Sequence, residues 1–185
     1  MTLPFLQITG LKKSYAASVL DNTHLSLSAG KVHALMGANG AGKTTLCNII
    51  CGITAADSGS MQRLGRPYQP NSILDAHRAG IRMVMQELNL IDDLSVAENL
   101  FFGELPTRYG MVDTEQLYAD ATALLRTVGV DELSPSQKVR DLGIGQQQLL
   151  EIARALALPC QLLILDDPTA ALSDPQVDLL FSNIN

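Results

Sequence analysis

The sequence predicts an α/β chain that starts β-rich, passes through a helical block and returns to a buried strand. Three observations predict it. Apolar residues alternate in Phe5 to Leu11 and again in Val19 to Leu27, around the polar stretch Lys12-Lys13-Ser14, which is a hairpin-like pattern. From Lys43 the period changes, so that Leu46, Ile49, Ile50 and Ile53 fall on one face of a helix. Leu162-Leu163-Ile164-Leu165 is a continuous apolar run, the habit of a strand buried on both faces. Helices and strands in this alternation imply α/β layering.

The remaining elements follow in order. Lys31-Val32-His33-Ala34-Leu35-Met36 reads as a short strand ending at Gly37, and Ile81 to Met85 as another. Residues 94–158 read as mainly helical, with Asp113 to Val128 the longest amphipathic stretch. A further helix begins after Pro175. The domain boundaries expected are a β region and core over 1–90, a helical region over 91–158 and a return to the core over 159–185.

Composition narrows the function classes. The chain has 185 residues, 46% hydrophobic and only 17% charged, which excludes a disordered tail and allows a real core. Thirteen Lys and Arg against 19 Asp and Glu leave a formal charge of −6, against the clustered cations that a nucleic-acid binder needs. No apolar run reaches the roughly 18–20 residues that span a bilayer. The start, Met1-Thr2-Leu3-Pro4-Phe5, lacks the basic segment of a secretory signal. Three cysteines cannot pair fully, and no Cys/His cluster has zinc spacing. A soluble, cytoplasmic-type chain is expected, with Cys47 and Cys51 as reduced packing thiols.

The chemistry is concentrated in one loop. Gly37-Ala38-Asn39-Gly40-Ala41-Gly42-Lys43-Thr44 matches the phosphate-binding pattern G-x-x-x-x-G-K-[ST]. Its glycines let the backbone curl so that successive N–H groups point at phosphate oxygens, and the following helix adds its N-terminal dipole. Lys43 is expected on the β- and γ-phosphates, the Thr44 hydroxyl on Mg²⁺, and Thr45 on a further phosphate oxygen. The apolar run at Leu162 to Leu165 ends in two carboxylates, Asp166 and Asp167. That is the form of a strand that carries an Mg²⁺ ligand, Asp166, followed by a group that positions water for hydrolysis, Asp167.

Together these residues resemble the ATP-binding cassette (ABC) ATPases. Lys43, Gln86, the Leu142 to Gln148 segment, Asp166 and Pro168-Thr169-Ala170-Ala171-Leu172 stand in that family's order and spacing. Gly80 to Leu90, Leu94 to Gly103 and Gly145-Gln146-Gln147-Gln148 are similar to the ATPases of monosaccharide importers of the ribose, xylose, galactose and autoinducer-2 type. The resemblance implies a P-loop NTPase core, RecA-like, with an N-terminal antiparallel β subdomain and an inserted helical subdomain. It implies that Tyr15 stacks on adenine with Val19 nearby, although a surface turn tyrosine is the plainer reading. It makes Gln86 a sensor of Mg²⁺ and attacking water. It makes Gly143, Gly145 and Gln146 part of a signature segment that caps the ATP of a partner cassette in a head-to-tail dimer. The further partners it implies are transmembrane permease subunits and, indirectly, a periplasmic or extracellular sugar-binding protein, with no nucleic acid. The place of action is the cytoplasmic face of the membrane.

The chain departs from the family pattern at several points. The usual signature is Leu-Ser-Gly-Gly-Gln, and here it is Leu142-Gly143-Ile144-Gly145-Gln146. Gly143 replaces a serine whose hydrogen bond to a charged phosphate is worth about 1.5–3 kcal/mol. Asp167 stands where the family usually has Glu, one methylene short, and about 1 Å of misplacement can cost on the order of a hundredfold in rate. Ser173 replaces an aspartate. The family's switch histidine has no counterpart before Asn185, and His24, His33 and His77 lie far upstream. The expectation is most of the first cassette of a longer importer ATPase, with slow turnover. The alternatives are a weakly active or inactive nucleotide-binding fragment and a non-transport ABC ATPase.

Overall fold

The computed structural model describes residues 3–85, 88–127 and 129–166. They fall into two compact units divided between Arg82 and Met83. The first holds β1 (Leu6–Ser14), β2 (Ser18–Leu27), α1 (Lys43–Ile50), β3 (Ser58–Arg63), β4 (Arg66–Pro67) and α2 (Ile73–Arg78), and β5 (Ile81–Val84) leads out of it. Its sheet is antiparallel in the order β2-β1-β3-β4.

β1 explains the register of this sheet. Leu6 and Ile8 alternate inward, as the period predicts, and both are buried. The ladder with β2 then shifts between Ile8 and Leu11, and Gly10 takes φ 62 there, so the chain bulges. The extra residue reverses the parity of the strand. Leu11 returns to the core, and Lys13 lies on the same side with only 15% of its side chain exposed. Gly59 on β3 permits the bulge to approach, because a Cβ there would lie 2.6 Å from both the Gly10 carbonyl oxygen and the Leu11 Cα. The Lys12-Lys13-Ser14 stretch therefore belongs to β1, and the turn is Tyr15-Ala16-Ala17.

α1 buries Leu46, Cys47, Ile49 and Ile50, the face the spacing predicts. It stops before Ile53, which is 41% exposed, because Gly52 takes φ 71 and its N–H turns back to the Ile49 carbonyl. The Tyr68 hydroxyl donates to the Ile50 carbonyl at 2.8 Å and closes that end. Cys47 and Cys51 are buried, and burial pushes the Cys51 thiol up to about 12.

The strand expected at Lys31 to Met36 does not form. Among the described residues its backbone joins no ladder, and Val32, Leu35 and Met36 are exposed. Apolar alternation makes a segment competent for a strand, but a strand also needs a neighbour to take its N–H and C=O groups. The β3–β4 hairpin carried no strand signal that periodicity could detect, since only Met61 of β3 is buried. Its turn, Leu64-Gly65, has φ 50 and 74, the left-handed pair that suits a two-residue hairpin.

The second unit holds α3 (Val96–Leu100), β6 (Thr107–Arg108), β7 (Met111–Val112), α4 (Thr114–Thr127), α5 (Ile144–Leu156) and β8 (Leu162–Leu165). Leu117, Ala121 and Leu125 form the buried stripe of α4, one helical turn apart, and pack with Val96, Val139 and Leu150. Asp113 opens α4 by accepting the Gln116 N–H at 3.1 Å. The block expected to be helical is interrupted by the β6–β7 hairpin, again on a left-handed pair, Tyr109 and Gly110. α3 starts at a reciprocal cap in which the Ser95 hydroxyl accepts the Glu98 N–H and the Glu98 carboxylate accepts the Ser95 N–H.

β8 pairs with β5. The expectation of burial on both faces is corrected, since all four β8 residues are half-buried. Leu163 and Leu165 pack against the buried pair Val84 and Ile152. Among the described residues β8 has no second neighbour in its sheet.

Candidate nucleotide site

The phosphate loop lies in the first unit, between residue 36 and α1. Gly37 to Ala41 are exposed, Gly42 is buried, Lys43 and Thr45 are half-buried and Thr44 is exposed. Gly40 and Gly42 take φ 79 and 87, conformations an L side chain rarely adopts, and the curl of the loop depends on them. The Ala41 N–H closes onto the Ala38 carbonyl at 3.1 Å, and the Leu46 N–H onto the Gly42 carbonyl at 2.9 Å as α1 begins. Lys43 reaches back over the loop, its ammonium donating to the carbonyls of Gly37 at 2.8 Å and Ala38 at 3.0 Å. One cation thus sits in the mouth of a loop whose helix has no acidic residue in its first turn. That combination favours an anion.

The β1–β2 hairpin lies against this loop. A Cβ on Gly42 would meet Leu20 Cδ2 at 2.8 Å, the Val19 carbonyl oxygen at 2.9 Å and Val19 Cγ1 at 3.1 Å. Val19 therefore touches the base of the phosphate loop, and Tyr15 stands a few residues away at the end of β1 with 60% of its surface exposed. The structure sets Val19 against Gly42 of the loop, and Tyr15 lies in the same unit.

The other predicted site residues belong to the second unit. Asp166 follows β8, and its N–H donates to the Val84 carbonyl of β5 at 3.0 Å. Gly143 is the N-cap of α5, so the helix opens at Ile144, one residue before Gly145. Gln146 turns back, and its Oε1 accepts the Gly143 N–H at 3.0 Å. Gln147 donates to the Val139 and Leu142 carbonyls at 3.2 and 3.3 Å, holding the segment before the helix. Gly143 has no side chain to cap the helix, and Ile144 is exposed. Gln86 and Asp167, and with them Pro168 to Leu172 and Ser173, lie outside the described residues.

Sequence reasoning missed two arrangements. In one, the Arg154 Nη1 donates to the Asn89 carbonyl at 2.8 Å. Glu151 accepts the Asn89 N–H at 2.6 Å, so α5 grips both backbone groups of the residue three past Gln86. Arg140, by contrast, pairs with Asp93 at 2.9 Å where both side chains are well exposed. The second arrangement is Asp57, which accepts from the Lys13 ammonium at 2.9 Å and the Ser14 N–H at 2.7 Å. Neither carries a motif, because each joins residues distant in the chain.

The chain matches the family model described as ABC transporter over residues 20–170. It is 45% identical to a ribose import ATP-binding protein of Chromobacterium violaceum, over 95% of this chain and 36% of that protein. It is 41% identical to a xylose import ATP-binding protein of Moorella thermoacetica, over 95% of this chain and 35% of that protein. The chain thus spans about a third of the length of the curated relatives it matches. Among solved structures it is similar to an ATP-binding cassette of an ABC transporter, with TM-score 0.85 and 25% identity, covering 99% of this chain and 76% of that one. It is also similar to a dimeric ATP-binding cassette bound to ADP and Pi, with TM-score 0.80 and 25% identity, covering 97% and 81%. With this sequence match and the α/β P-loop fold behind an antiparallel β region, the chain belongs to the ABC transporter family.

Proposed function

We propose that this chain binds MgATP in the Gly37 to Thr45 loop and serves as the ATP-hydrolysing cassette of an importer for a monosaccharide or similar small carbohydrate. The observation that carries the reading is the phosphate loop itself, with Gly40 and Gly42 in left-handed conformations and the Lys43 ammonium held over the Gly37 and Ala38 carbonyls. Phosphate oxygens are the natural competitors for that ammonium, and the α1 N-terminus adds N–H donors. Tyr15 supplies an exposed aromatic face for adenine, beside Val19.

By residue type, the Thr44 hydroxyl, the Asp166 carboxylate and the Gln86 side chain are oxygen donors that would suit a hard divalent cation. Mg²⁺ held by these residues would supply the positive charge that stabilises phosphoryl transfer. Asp167 orients the attacking water. Its side chain is one methylene shorter than glutamate, so turnover is slow relative to binding. Gly143, Gly145 and Gln146, at the opening of α5, face the γ-phosphate of a second cassette in a head-to-tail dimer. The sugar-import reading is supported by the similarity to ribose and xylose import ATP-binding proteins. Permease subunits hold the cassette at the cytoplasmic face of the membrane, and a sugar-binding protein acts through them. No helix among the described residues is long and apolar enough to cross a membrane.

The test is calorimetric titration of the chain with MgATP, followed by measurement of phosphate release. Lys43→Ala is expected to weaken binding at least tenfold, because a hydrogen bond to a charged group is worth about 1.5–3 kcal/mol. Phosphate release is expected to be slow and to rise in Asp167→Glu. Equal MgATP affinity in the native chain and Lys43→Ala would refute the site.

A further inference from the structure

We propose that Asp57 is a positioning residue for nucleotide binding: through Lys13 and the Ser14 amide it sets the place of the Tyr15 ring that receives the base. The inference rests on the reading of Tyr15 as the base-stacking residue and goes beyond it, because Asp57 lies in no phosphate or base motif.

The arrangement begins at the β1 bulge, which reverses the parity of the strand and turns Lys13 inward, with 15% of its side chain exposed. An inward lysine needs an anion, and Asp57, just before β3, provides it at 2.9 Å. The second oxygen of the same carboxylate accepts the Ser14 N–H at 2.7 Å. Both contacts hold the Asp57 carboxyl below the usual carboxylate range, the Lys13 hydrogen bond first and the Ser14 N–H second. The Lys13 ammonium also stands 5.5 Å from the centroid of the Tyr15 ring, within cation–π range. The Tyr15 N–H turns to the Ala17 carbonyl at 3.0 Å, which fixes the backbone beyond Ser14. Asp57 therefore controls the last backbone amide of β1 and the cation that lies over the ring, while 60% of the Tyr15 surface stays open.

Removing the carboxylate leaves the fold its other ties. The Asp57 N–H still donates to the Lys12 carbonyl at 2.9 Å, and Lys12 still pairs with Ser58 in the β1–β3 ladder. The loss falls on Lys13 and Tyr15. An ordered aromatic platform presents its face without first having to be oriented, so it favours a ligand that carries a base over one that carries phosphates alone.

The experiment compares two probes, MgATP and Mg-tripolyphosphate, titrated into the native chain, Asp57→Ala, Asp57→Asn, Lys13→Met and Tyr15→Ala, with thermal melts of each. Tyr15→Ala is expected to lose about tenfold in MgATP affinity and to keep its tripolyphosphate affinity. Asp57→Ala and Lys13→Met are expected to lose about threefold to tenfold for MgATP alone. Asp57→Asn, which keeps an acceptor for the Ser14 N–H, is expected to fall between them and the native chain. In a Tyr15→Ala background Asp57→Ala should cost nothing more. Equal losses for both probes would overturn the proposal, because Asp57 would then serve only the sheet. So would a Tyr15-dependent MgATP affinity that Asp57→Ala and Lys13→Met leave unchanged. If Tyr15→Ala itself leaves MgATP affinity intact, the stacking reading fails first and the role of Asp57 falls with it. Lys13→Met retains the buried stem and gives the same discrimination if Asp57→Ala does not fold.

Discussion

Gly42→Ala isolates the contact that joins the β1–β2 hairpin to the phosphate loop. Two costs add at this position. An L residue at φ 87 leaves its favoured region, at about 1–2 kcal/mol. The new methyl would also stand 2.8 Å from Leu20 Cδ2 and 2.9 Å from the Val19 carbonyl oxygen. The side-chain end can rotate away, but the carbonyl belongs to β2 and moves only with the strand. Overpacking of that kind costs about 1–3 kcal/mol, giving a total of about 2–5 kcal/mol. Gly40→Ala is the internal control. It has φ 79, and its Cβ would meet nothing within 4 Å, so it bears only the first cost. Both substitutions restrict the unfolded chain equally, so that effect cancels between them. The expected difference is therefore about 1–3 kcal/mol, roughly 1 M in urea midpoint at a slope of about 1–3 kcal/mol per M. Urea unfolding followed by circular dichroism measures it. Adding Leu20→Ala to Gly42→Ala should restore only part of the loss, because the Val19 carbonyl remains. Equal midpoints for Gly40→Ala and Gly42→Ala would refute the argument that hairpin and loop are in contact here.

Two predictions concern the second unit. Asn99 is 1% exposed and accepts the Ile91 N–H at 2.8 Å while donating to the Ile91 and Ser95 carbonyls at 3.0 Å each. Asn99→Leu keeps the volume but strands those backbone groups, and should lower stability by about 2–4 kcal/mol in the same urea assay. Glu98 has its carboxyl held below the ordinary glutamate value, first by the Ser95 hydroxyl and N–H and more weakly by the Lys138 charge. Because the folded value is depressed, its stabilisation is complete above the unfolded glutamate pKa of about 4.3 and is lost as pH falls through the folded value. The urea midpoint should therefore drop less between pH 5 and pH 3 in Glu98→Gln than in the native chain, and parallel pH profiles would contradict the assignment.

What could be read directly from the chain was whatever depends on neighbours in sequence. The glycines of the phosphate loop, Lys43 at the start of α1 and the apolar stripe of α4 follow from local dihedral preference and helical period, and each lies where the spacing placed it. The β1–β2 hairpin was legible for the same reason, though not its turn, because a bulge at Gly10 reverses the parity on which alternation depends. The strand at Lys31 to Met36 shows the opposite case. Its pattern is sound, yet whether a competent segment becomes a strand is decided by another stretch of backbone.

The site divides along the same line. The signature residues were recognisable as a string, and so was Asp166 at the end of an apolar run. That Gln146 turns back to the Gly143 amide, that α5 grips Asn89 through Glu151 and Arg154, and that Asp57 holds Lys13 against Tyr15 were not. The sequence alone determined the family and the phosphate-loop motif, because these rest on residue types at short fixed spacing. Only the tertiary structure decided which face Lys13 takes, which strand Val19 brings to Gly42 and which carboxylate pairs with Lys13. These are contacts between segments far apart in the chain, and their partners are chosen by packing and charge satisfaction in three dimensions rather than by any local period.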